Sequence, residues 1–166
     1  GKINIELMNQ IGYDSVTIGN NEGIGNSHQQ LMDLYRDAKF PVIVDNLLDR
    51  TTGKPPKWTC QKKIFTTANN TRIGILGCTA PFDATYDMNN WEALSVDQVL
   101  PDLVRSLAAE TDYIILLSHL GINWDRKLAH EYPQINLIIG SHTHHLLKKG
   151  EWVGDTLLGA AGKWGQ

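Results

Sequence analysis

Two short apolar runs, Tyr113 to Leu117 and Ile135 to Ile139, each end in side chains that bind ions or carry protons. Ser118-His119 follows the first, and Ser141-His142-Thr143-His144-His145 follows the second. Runs that are continuously rather than alternately apolar predict strands buried on both faces, which belong to sheets covered by helices. The run IGILGC within Arg72 to Cys78 has the same character, and Asp14 to Ile18 and PVIVDNLL (Pro41 to Leu48) are further strand candidates, with Pro41 at the first position, tolerant of a missing N–H. Strand, loop and helix alternate along the chain, and the expectation is an α/β sandwich with mostly parallel or mixed sheets flanked by helices.

The helices between these strands are legible from spacing and caps. Ile3, Leu7, Met8 and Ile11 share one helical face, and Gly12 follows as a C-terminal glycine should. GNNEGIGN reads as a polar loop, after which Ser27 opens a helix with Gln30 completing a capping box. Leu31, Leu34, Tyr35 and Ala38 give that helix its buried face. The stretch DRTTGKPPKWTC is a loop on composition, and Lys63 to Thr67 pairs with Arg72 to Cys78 across an Asn69-Asn70 turn. Pro81 to Leu94 reads as a long connection. Ser95 to Ala109 is helical, with a late start expected from Pro101. Trp124 to His130 is a short helix, and two strands near Trp152 and Leu157 close the chain.

Composition sets bounds. The 166 residues suit one domain, and 42% hydrophobic content supports a core. With 15 basic and 18 acidic side chains and a net charge of -3, the chain has no electrostatic footprint for a nucleic-acid polymer or an anionic membrane. No apolar run approaches the roughly 20 residues that span a bilayer. The two cysteines, Cys60 and Cys78, form no CxxC pattern and no disulfide framework. Cys78 reads as a buried thiol, and the low count favours a reducing, cytoplasmic setting over the cell surface.

Chemistry concentrates at strand tips. In open α/β sheets, ligand-binding side chains gather beyond the carboxyl ends of the strands. SVTIG runs into Asn20-Asn21-Glu22, and four of the six histidines follow the two apolar runs described above. Imidazole and amide or carboxylate oxygen suit a borderline divalent ion. On an extended segment, a His-x-His pair directs both rings to one side. Any one of these clusters alone has a bland reading, a structural histidine or a solvated loop. It is their occurrence together, with a glycine ahead of the Asn cluster, that points to a metal site. His28 and His130 read as helix-surface residues, and His145 as a neighbour of the ligands. Asn46 falls on the same rim as either a substrate contact or a turn former, and Glu22 as either a supporting or a helix-side carboxylate.

The order GNNE, LLSHLG, LIIGSHTHH resembles the calcineurin-like metallophosphoesterases, in the 5'-nucleotidase and UDP-sugar hydrolase branch and most closely the YunD-type bacterial members. The likeness covers nearly the whole chain. It implies a dinuclear centre of divalent ions (Mn, Zn, Fe, Mg or Ca), with Asn20, His119 and His142 on one metal and His144 on the other. It also implies hydrolysis of small phosphoesters or nucleotides, with Asn20 and Asn21 near substrate. The family's Asp-x-His and Gly-Asp motifs do not precede Asn20, so residues 1–166 are expected to be part of a metallophosphoesterase domain, without the separate C-terminal nucleotidase domain. An exposed sheet edge, open to association, is expected in consequence.

Two positions depart from the family pattern. Asn21 stands where a catalytic histidine is usual, and Ile24 where an acidic residue orients it. An amide cannot act as an acid near neutral pH. The alternatives are therefore a catalytically impaired metal- or partner-binding module, or a CapA-like capsule-biosynthesis protein.

Overall fold

Thr79 at the end of one strand faces His119 at the end of the next, and Ser118 faces Gly140 on a third. That register defines the architecture. In the computed structural model, which describes residues 1–81 and 86–163 (Gly23, Ile24 and Asp87 by backbone alone), six strands form one mixed sheet. They are β2 (Lys63–Thr66), β3 (Arg72–Thr79), β5 (Tyr113–His119), β6 (Leu137–Gly140), β7 (Glu151–Val153) and β8 (Thr156–Ala160), in the order β2-β3-β5-β6-β8-β7. β3, β5, β6 and β8 are parallel, and β2 and β7 are antiparallel edges. The carboxyl ends of β3, β5 and β6 thus lie along one rim. Both edge strands are short, which limits pairing with another chain.

Among the described residues five α-helices accompany the strands: α1 (Lys2–Ile11), α2 (Asn20–Gly25), α3 (His28–Tyr35), α4 (Val96–Glu110) and α5 (Ile122–Glu131). Gly12 ends α1 at φ 82, the left-handed value a C-terminal glycine allows, and Ser27 with Gln30 makes the expected capping box on α3. α4 buries Val96, Leu100, Val104 and Leu107 against β3 and β5, and α5 buries Ile122, Leu128 and Ala129 against β6 and β8. A second core gathers Ile18, Leu31, Val42, Val44, Leu47, Tyr86 and Trp91.

Several expectations are corrected. The polar loop GNNEGIGN contains α2. Asp14 to Ile18 and most of Pro41 to Leu48 are extended without forming a continuous ladder. Residues 42–45 bond in turn to Val16, Cys60 and Gly77, so no single partner strand runs alongside them. Only Leu47–Asp49 of this stretch is a strand, β1, paired with β4 (Trp91–Ala93) inside the expected connection; residues 82–85 of that connection lie outside the described set. α4 begins at Val96 despite Pro101, because burial of its apolar stripe outweighs one lost backbone bond. Burial on both faces holds in β3 from Gly74 to Thr79. In β5 and β6 the face opposite the helices leaves Ile115 and Leu117 half-buried and Ile139 48% exposed among the described residues.

Candidate metal centre

The rim brings three donors together. His119, the last residue of β5, places Nε2 2.9 Å from Asn20 Oδ1 and 3.3 Å from His142 Nδ1. The two imidazoles meet at a ring-centroid separation of 5.0 Å, inclined by 64°. Among the described residues no group of three or more His, Cys, Asp or Glu is placed to hold a metal ion, so the convergent set is two imidazoles and an amide oxygen. Burial, then the nearby His142 and His144, lower the His119 pKa to about 4. The ring is therefore neutral near pH 7, as a metal ligand must be. Neutral imidazoles and an amide oxygen crowded at hydrogen-bond range fit a borderline divalent ion.

Backbone geometry explains how each donor arrives. Gly19 has extended φ, so its role is space. A Cβ there would meet His119 Cε1 and Glu22 Oε2, each at 2.9 Å. Glu22 Oε2 accepts from Gly19 N at 3.0 Å, fixing the first turn of α2. Glycine has no side chain to return the bond, so only the carboxylate half of a capping box is made. Glu22 is thus a supporting residue behind Asn20. Asn21, the next residue of α2, is exposed.

The histidine loop after β6 departs from the extended form expected for His-x-His. Both His142 (φ 73) and His144 (φ 56) are in the left-handed region. Thr143 N donates to Ser141 O at 3.0 Å around His142, the bonding pattern of the uncommon γ-turn. Left-handed backbone at a non-glycine residue costs on the order of 1–3 kcal/mol and clusters at functional sites. The result separates the two rings: His142 joins His119 and Asn20, while His144 is exposed without a hydrogen bond to them.

Some residues of the support went unread in the sequence. Thr143 Oγ1 accepts from Ile122 N at 3.1 Å and bonds His145 Nδ1 at 2.9 Å, tying the histidine loop to α5. Buried Ser118, next to His119, donates to the carboxylate of buried Asp125. Asp125 was detectable as the one acid on the apolar face Ile122, Asp125, Leu128, Ala129 of α5. Asn46 is no substrate contact. It is fully buried, donates to Thr79 O and Leu94 O and accepts from Thr79 N. His28 is no simple surface residue either; it stacks on Trp91 at 3.6 Å, whereas His130 is exposed as expected. Cys60 and Cys78 are free thiols, and Cys78 is wholly buried.

The sheet topology is that of a metallophosphoesterase-type α/β protein. The chain belongs to the calcineurin-like metallophosphoesterases, in the 5'-nucleotidase branch. It is 41% identical over 165 residues to the uncharacterized metallophosphoesterase YunD of Bacillus subtilis, covering 99% of this chain and 36% of that protein. It is 28% identical over 150 residues to a 5'-nucleotidase of Rattus norvegicus, covering 87% of this chain and 26% of that one. A 5'-nucleotidase precursor from Thermus thermophilus superposes with TM-score 0.80 at 24% identity, covering 98% of this chain and 36% of that structure. No family model matches the chain. The chain thus spans about a third or less of the length of these relatives.

Proposed function

We propose that the chain forms part of a metal-dependent phosphoester hydrolase acting on nucleotides or related small phosphomonoesters. The observation that supports it most directly is the convergence of Asn20 Oδ1, His119 Nε2 and His142 Nδ1 at the carboxyl rim. In this reading these three hold one divalent ion, and His144 serves a second, as the family resemblance implies. Bound ions of this kind neutralise phosphoryl oxygens and lower the pKa of a coordinated water towards neutrality.

The chain's own residues have separate tasks. His119 stays unprotonated at neutral pH, leaving a ring nitrogen free to coordinate. Asn20 and Asn21 lie at the start of α2, and the exposed Asn21 amide donates to a phosphate oxygen of the bound ester. An amide does not release a proton near pH 7, so the leaving alkoxide is protonated by solvent, and esters with good leaving groups turn over fastest. Recognition of the nucleoside falls to a separate domain in this reading, and residues 1–166 contribute only part of the metallophosphoesterase domain.

Among the described residues no helix is long and apolar enough to cross a membrane. The test is hydrolysis of p-nitrophenyl phosphate and a nucleotide panel with added manganese, by the longest natural polypeptide that carries this chain. Activity that falls on the order of 100-fold or more in His119→Ala supports the reading. A wild-type protein that binds two ions and hydrolyses nothing favours the non-catalytic module suggested by Asn21.

A further inference from the structure

Away from the histidine rim, α3, the 49–58 segment and Trp91 enclose a cavity of about 520 Å³. It shares no lining residue with Asn20, His119 or His142. Its size is that of a small-molecule site. Three aromatic rings line it and brace one another. His28 stacks on Trp91 at 3.6 Å and 6°, and Trp58 meets Trp91 edge-on at 6.0 Å and 90°. Tyr35 backs Trp58 at 5.2 Å and 15°. His28 is itself held, its Nε2 2.9 Å from Asn89 O and its Nδ1 3.4 Å from Asp49 Oδ2.

Among the described residues the indole N–H groups of Trp58 and of fully buried Trp91 have no acceptor, and both nitrogens are buried within the wall rather than open to the cavity. At the mouth, exposed Lys54 and Lys57 have no ion-pair partner among the described residues. The one carboxylate in the lining, Asp49, is already engaged by His28 and by Thr51 N at 2.8 Å.

We infer that this cavity is an accessory binding site for a planar heteroaromatic anion, of which a nucleoside monophosphate is the type. A nucleobase offers a flat face to Trp58 and Pro55, both in the lining. Its phosphate is met by Lys54 and Lys57. Stacking on braced rings loses little conformational freedom, which favours affinity. The inference does not rest on the hydrolase reading, because no metal ligand takes part.

Isothermal titration of the chain with AMP in the presence of EDTA tests it. One AMP binds per chain, and His119→Ala leaves the affinity within about twofold. The Lys54→Ala/Lys57→Ala double variant, changed only at exposed positions, melts like wild type and binds about fivefold more weakly. Adenosine binds more weakly than AMP by a similar factor, and inorganic phosphate alone gives no saturable heat. Absence of AMP binding to wild type overturns the inference. So does loss of binding in His119→Ala with retention in the lysine variant, or equal affinity for AMP and adenosine.

Discussion

Nε2 of His119 stands 2.9 Å from Oδ1 of Asn20, although 99 positions separate the two residues in sequence. β5 delivers the imidazole and the first residue of α2 delivers the amide. Only glycine at position 19 lets the two segments approach this closely. The contact predicts a single cation site of modest affinity in this chain. Manganese titration is expected to show weakening on the order of 10–100-fold for His119→Ala and His142→Ala, and a smaller loss for Asn20→Ala. His144→Ala changes the affinity within a few-fold, because that ring makes no hydrogen bond to the other three. Equal affinity of His119→Ala and wild type would refute the assignment.

The γ-turn at His142 sets function against stability. An alanine there keeps the left-handed backbone and its cost, about 1–2 kcal/mol for an L-residue, while glycine escapes it. Both substitutions remove the ligand. His142→Gly is therefore expected to be more stable than His142→Ala by about 1 kcal/mol, or roughly 2–4 °C in melting temperature. Thermal denaturation of the two variants, both in EDTA, is the comparison. A more stable alanine variant would mean that the loop does not hold this backbone in solution.

Much of this arrangement was legible because it is one-dimensional. Apolar runs placed β3, β5 and β6, and parallel pairing alone then gathers Thr79, His119 and Gly140 on one rim. The capping residues Ser27 and Gln30 and the glycine at position 12 act within one turn of chain, so they too are readable. What escaped depends on partners distant in sequence. Residues 42–45 satisfy their amides with three different segments and so never become the strand their composition suggests. Asn46 is a buried staple between Thr79 and Leu94, and nothing local distinguishes it from a turn residue. The γ-turn at His142 likewise answers to the packing of Thr143 on α5, which a His-x-His pattern does not encode.

Titration of His119 offers a check on burial. Its pKa in the folded chain is lowered to about 4 by desolvation and by the two nearby histidines, below the ordinary 6.5. The unfolded chain therefore takes up the proton first as pH falls. Stability due to this group is fully present above about pH 6.5 and is lost as pH falls through 4. In EDTA, proton NMR should show the His119 ring neutral at pH 5.5. Wild type should lose more stability between pH 6.5 and 4 than His119→Gln does. A ring that titrates at 6 or above would show that the rim is open to water.

Asp125 links the sheet to the site without touching a candidate ligand. One carboxylate oxygen accepts from Ser118 Oγ, and the other lies so close to Gly140 that any Cβ there would collide with it. Ser118 precedes His119 and Gly140 precedes the histidine loop, so the carboxylate sits between the roots of both histidine ligands. Gly140→Ala is expected to displace Asp125 and break its bond from Ser118, leaving buried polar groups unsatisfied at a cost of about 1–3 kcal/mol each. Manganese affinity should fall with it, although no ligand has changed. Shortening the acid in Gly140→Ala/Asp125→Ser makes room for the new methyl and restores a hydrogen-bonding group. The double variant is therefore expected to be more stable than the sum of the single losses implies, with a coupling of at least about 0.5 kcal/mol in a denaturation cycle. Strict additivity of the two substitutions would show that the glycine and the acid do not share this space.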